Sequence, residues 1–145
     1  MALPEPVPGL VIRYSYLWVE DHRKGLEEGR KDRPCAVVLV SQTSKNERRI
    51  TVLPVTHAPP ADPAMALEIP RDTKARLGLD NERSWVVLSE ANQFIWPGPD
   101  LRPAAPGKTE SIVYGQLPQA FFYKLRERFL TLLRKNASAA VSRTE

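Results

Sequence analysis

Arg33 is followed by Pro34 and an unbroken apolar run, Cys35, Ala36, Val37, Val38, Leu39 and Val40. A run of this length, rich in β-branched side chains, predicts a strand buried on both faces. Pro34 has no backbone donor and suits the first position of such a strand rather than its middle. Residues 25–33 form a charged loop with two glycines. Arg33 therefore stands at the mouth of a rigid strand, where a guanidinium can meet a phosphate through two parallel donors. The plainer alternative is an ion pair with Glu27, Glu28 or Asp32. A second pair of reactive types, Thr56 and His57, closes the stretch RRITVLPVT just before the breaker run of residues 58–63. A hydroxyl and an imidazole thus sit where a strand opens into a loop.

These side chains need elements to hold them. Residues 1–9 read as an extended, proline-rich lead-in. Residues 11–19 read as a first strand with Ile12, Tyr14, Tyr16 and Trp18 on one face, a core of aromatics rather than a base-stacking platform. Residues 20–32 read as a polar loop, 41–47 as a turn, and 48–56 as a strand that Pro54 assigns to an edge or a bulge. Residues 66–69 and 84–88 are short strands. Between them, 70–78 hold one or two helical turns, with Asp72 as N-cap and Gly78 as the stop. The apolar residues 94–96 lead into a long proline-rich loop, and 111–114 form a last short strand. Residues 118–135 carry the clearest helical stripe, Phe121, Phe122, Leu125, Phe129, Leu132 and Leu133, with Pro118 in the first turn. The expected domain spans 10–135, and 136–145 are expected to be a disordered tail. The class is mainly β (α+β): a strongly bent sheet or small barrel with peripheral helices.

The 145 residues suffice for one domain with a core. The formal net charge of +4 and pI of about 9.4 lean toward a polyanionic partner. A single cysteine excludes an intramolecular disulfide and a cysteine metal cluster, so a reducing cytoplasm is the expected setting. His22 and His57 are not at a ligand spacing and no phosphate-binding glycine loop is present, so neither a metal nor a cofactor is expected. No leader and no run long enough to span a membrane is seen.

Pro8-Gly9 before the first strand, the acidic glycine loop, Arg33-Pro34 before an apolar strand, Pro54-Val55-Thr56 ending the next, and Ser89-Glu90 after Val86-Val87-Leu88 occur in that order. Over roughly residues 8–135 the chain resembles the MazF/PemK family of toxin ribonucleases from toxin–antitoxin systems. The resemblance implies an SH3-like barrel of the CcdB/MazF type, a homodimer, metal-independent cleavage of single-stranded RNA, and neutralisation by an antitoxin. It places the family's arginine on Arg33, its threonine on Thr56, its loop glutamate on Glu28 and its later acid on Glu90. The loop departs from the family's usual pattern at Gly29, Arg30, Lys31 and Asp32, and the stretch of residues 96–108 is an addition.

RNA cleaves itself when its 2′-hydroxyl attacks the adjacent phosphate. An enzyme must supply a base for that proton, donors for the extra charge on phosphorus, and an acid for the leaving 5′ oxygen. General acid–base help is worth about 10²–10⁴-fold, and each preorganised donor roughly 10²–10³-fold. Arg33 suits charge stabilisation and Thr56 can donate to a non-bridging oxygen. Glu28 or His57 is the candidate base, an imidazole being suited to proton transfer near neutral pH. Glu90 could orient the arginine or hold a base edge; Arg30, Lys31, Asn92 and Gln93 are further candidate RNA contacts. The rival expectation is a barrel of the same fold that only binds. It would hold a protein target, as the related CcdB family does with DNA gyrase, or RNA, or would regulate transcription with a partner.

Overall fold

The computed structural model describes residues 3–27, 29, 31–104 and 111–143. Eight strands form one sheet: β1 Leu10–Tyr14, β2 Arg33–Gln42, β3 Arg48–Thr56, β4 Ala66–Glu68, β5 Trp85–Val87, β6 Glu90–Ile95, β7 Val113–Gln116 and β8 Ala139–Ser142. The main path runs β4-β5-β3-β2-β1-β7, with β6 on β3 and β8 on β6. All pairings are antiparallel except β6–β8. The path ends at β4 and β7 and no described pairing joins them, so the described strands make an open, mostly antiparallel sheet with helices, an α+β architecture. The helices are α1 Val19–Arg23, α2 Arg71–Arg76 and α3 Gln119–Arg134.

The apolar run of β2 does line two cores. Ala36 and Val38 enter one cluster with Leu53, Val55, Leu125 and Phe129. Cys35 and Val37 enter the other with Ile12, Tyr14, Tyr16 and Phe94. The period of two in a strand makes this division, and it accounts for the absence of polar alternation. The α3 stripe covers the first cluster: Phe122, Leu125, Phe129 and Leu132 are buried. Burial of each such side chain contributes about 1.5–3 kcal/mol. None of the described helices is long and apolar enough to cross a membrane.

Several expectations are corrected. The first strand ends at Tyr14, and α1 occupies the start of the expected loop. Glu20 and Asp21 in its first turn and His22 and Arg23 in its last complement the helix dipole. α2 begins after Pro70 rather than being capped by Asp72. β3 is central, not an edge. Its residues Arg49–Val52 pair with β6 and Val55–Thr56 with β5, and Pro54 falls in the gap where one partner has ended and the other has not begun. The lead-in is tied down: Pro6 is buried, and the Gly9 amide donates to the Val37 carbonyl at 2.7 Å. The long proline loop is clipped along β1 by a Tyr14–Leu101 bridge; residues 105–110 of that region lie outside the described residues.

The largest correction concerns residues 136–143 of the expected disordered tail 136–145; 144 and 145 lie outside the described residues. Asn136 takes a left-handed conformation (φ 54°), which ends α3 and reverses the chain. Residues Ala139–Ser142 then add to the free edge of β6. Arg143 plugs the interior behind them, donating to the Ser15 carbonyl at 2.7 Å and the Asn92 Oδ1 at 3.0 Å, with Asp100 at 3.2 Å. The segment is too small and polar to announce itself, but an available strand edge and a buried acid suffice to order it.

Candidate active site

β2 and β3 run antiparallel with Cys35 opposite Pro54. Extending that register by two residues brings Arg33 abreast of Thr56. Tertiary folding adds Trp18 and the 79–84 loop, which closes a pocket of about 370 Å³. Arg33, Thr56, His57 and Lys31 all line it. The expected arginine, hydroxyl and imidazole therefore meet in one place.

Arg33 is held from two sides. Its Nη1 donates to the Val55 carbonyl at 3.1 Å, and its guanidinium lies 4.9 Å from the centre of the Trp18 ring. Stacking on an aromatic face fixes the guanidinium plane. Burial lowers its pKa, and the neighbouring Cys35 and Tyr16 act against that; a guanidinium keeps its charge at any physiological pH. Asp32 does not pair with it but lies 3.6 Å from Arg102. Among the described residues Arg33 makes no ion pair, so the plain salt-bridge alternative does not apply to Glu27 or Asp32. Its Nε is buried without a partner among the described residues. Such a group costs roughly 1–3 kcal/mol, a cost that strand formation does not require.

The Thr56 Oγ1 accepts from the Ala58 amide at 3.2 Å. That uses a lone pair and leaves the hydroxyl hydrogen free to donate. His57 Nε2 lies 2.7 Å from Asp80 Oδ2 and 3.9 Å from Glu82. Asp80 in turn accepts from Lys74 Nζ at 2.6 Å through its other oxygen. Burial acts to raise the Asp80 carboxyl, but the bonds from Lys74 and His57 outweigh it and hold the group below the ordinary carboxylate range. His57, Asp80 and Glu82 are the donors that converge among the described residues, with ligand atoms within 4.8 Å of one another. The Lys74 ammonium already supplies the positive charge that a cation would bring to Asp80.

The remaining candidates lie elsewhere. Glu28 and Arg30 fall outside the described residues. Gly29 itself packs against residues 15–16, where any Cβ would collide with the Tyr16 carbonyl. Glu90, Asn92 and Gln93 do not line the pocket. Asn92 is fully buried and clamps the Leu17 backbone, accepting from its amide at 2.9 Å and donating to its carbonyl at 2.8 Å. It has no surface to offer a nucleotide. Gln93 is half-buried beside Thr51. Glu90 accepts from the Tyr16 hydroxyl at 3.0 Å and the Val19 amide at 2.9 Å. It braces the segment that carries Trp18, with Tyr16 edge-on to Trp18 at 5.0 Å, so its influence on Arg33 runs through that ring. Burial raises the Glu90 carboxyl above its ordinary range despite those two bonds.

Sequence reasoning missed Asp80, Lys74 and Ser84, which complete the His57 side of the site. Nothing local marks them: Asp80 is 23 positions from His57, and an acid after a short helix reads as a cap or a solvated loop. A scan against protein-family models matched none, and a search of curated proteins found no match.

Proposed function

We propose that the chain is a metal-independent endoribonuclease of the toxin–antitoxin kind, cleaving single-stranded RNA by attack of its own 2′-hydroxyl. The observation that carries this reading is the convergence of Arg33, Thr56 and His57 on one pocket, the arginine stacked and free of any described carboxylate. Arg33 neutralises charge developing on phosphorus, Thr56 donates to a non-bridging oxygen, and Lys31 adds cationic reach at the rim. A pure binding module has no need of a hydroxyl and an imidazole beside the arginine. The same reading takes the open sheet as a variant of the SH3-like MazF-type barrel. It implies a cytoplasmic homodimer whose RNA site an antitoxin covers, and light scattering at micromolar concentration would detect the dimer.

The test is incubation of the purified protein with a long unstructured RNA in EDTA, beside Arg33→Ala. Fragments ending in 2′,3′-cyclic phosphate from the wild type alone support the reading. Intact RNA with folded, antitoxin-free protein transfers it to the binding-only barrel, and cleavage that needs added Mg²⁺ overturns the metal-free chemistry.

A further inference from the structure

We propose that Asp80, anchored by the buried Lys74, is the positioning residue that makes His57 the general base of this pocket; the proposal rests on the ribonuclease reading above. A carboxylate only accepts, so the 2.7 Å contact requires the hydrogen on His57 Nε2. That leaves Nδ1 with its lone pair, the form a base needs. The carboxylate also stabilises the imidazolium that appears once the proton has been taken.

Lys74 explains why Asp80 stays in place. It is 5% exposed, and its ammonium reaches Asp80 Oδ1, the Ser84 hydroxyl at 2.8 Å and the Glu82 carbonyl. Three acceptors use all three of its hydrogens. The 79–84 loop is thereby tied to α2 with one Asp80 oxygen still directed to His57. Asp80 also stands on the wall shared with a second cavity of about 530 Å³ bounded by α2, so it is reached from both sides. The charged groups around His57 are Asp80 and Glu82 from the 79–84 loop, Lys74 behind them on α2, and Lys31, Asp32 and Arg33 across the pocket.

The step balances without a co-reactant. His57 Nδ1 takes the 2′-hydroxyl proton, the O2′–P bond forms and the P–O5′ bond breaks. The leaving oxygen takes a proton from water, and the imidazolium neutralises the resulting hydroxide. The products are a 2′,3′-cyclic phosphate and a 5′-hydroxyl.

Turnover of a fluorophore-labelled single-stranded RNA is measured against pH in EDTA for wild type, Arg33→Ala, Asp80→Asn and Glu82→Gln. Long-range ¹H–¹⁵N spectra of the His57 ring, assigned with His22→Gln, report the tautomer in the wild type and so do not depend on any variant folding. The expected wild-type ring carries its hydrogen on Nε2. Asp80→Asn lowers kcat about tenfold, the weight of one partly exposed charge-assisted hydrogen bond, and leaves KM unchanged. Glu82→Gln changes kcat less than twofold. A ring hydrogen on Nδ1, or Asp80→Asn turnover matching the wild type while Arg33→Ala is silent, overturns this proposal alone. No cleavage by the wild type overturns the ribonuclease reading and this proposal with it.

Discussion

Arg143→Ala tests whether the C-terminal strand belongs to the fold. Arg143 is 7% exposed and Asp100 8%. The guanidinium donates to Ser15 and Asn92, lies 3.2 Å from Asp100, and sits 5.5 Å from the Tyr14 ring centre. Truncation removes the cation and leaves the Asp100 carboxylate buried without it. Breaking a buried pair from one side costs about 3–5 kcal/mol. Asn92 keeps its two bonds to Leu17, so the lower figure applies, about 3 kcal/mol. For a chain of this size that lowers Tm by about 10 °C. Urea titration followed by circular dichroism gives the free energy, and Asp100→Asn, alone and combined with Arg143→Ala, completes a cycle. The double variant should recover much of the loss, because it no longer buries an unpaired charge. An Arg143→Ala protein within 1 kcal/mol of wild type at equal denaturant slope would refute the anchoring of β8.

Arg33→Lys keeps the charge but loses the planar fork and the stacked face, so cleavage should fall about 10²-fold; wild-type turnover in the lysine variant would end the phosphate-clamp argument. Glu90 has a raised folded-state pKa, so the folded chain holds its proton more tightly than the unfolded one. Its contribution to stability therefore declines as pH rises above the ordinary glutamate range, near 4.5. Urea midpoints from pH 4.5 upward should show that slope in the wild type and lose it in Glu90→Gln, whose amide oxygen can still accept from Tyr16 and Val19. Cys35 is fully buried and its thiol is pushed up by that burial, with Arg33 and Arg143 acting against it. It should resist thiol reagents until the protein unfolds; stoichiometric labelling in native buffer would contradict the placement of β2 between two cores.

Much of the frame was legible because it is local. The β2 run, the extent of β3 and the α3 stripe follow from periodicity that a short window contains, and Arg33-Pro34 and Thr56-His57 lie at the ends of those strands. Glu90, Asn92 and Gln93 looked like site residues because a polar cluster after a strand reads as a loop. In the fold they form β6, where the Glu90 and Asn92 side chains satisfy the backbone of residues 17–19 across the sheet.

By itself, the sequence determined which strands carry Arg33 and Thr56, that the run Cys35 to Val40 would be a strand, of which Cys35 to Val38 are buried and Leu39 and Val40 partly so, and that one amphipathic helix would cover a core. Tertiary structure alone decided that Trp18 lies under the guanidinium, that Asp80 and Lys74 stand behind His57, and that the tail becomes a strand. The physical reason is range. Burial and strand period act between neighbours, whereas an ion pair, a stacked ring or a docked edge depends on residues that only the folded sheet brings within a few ångströms.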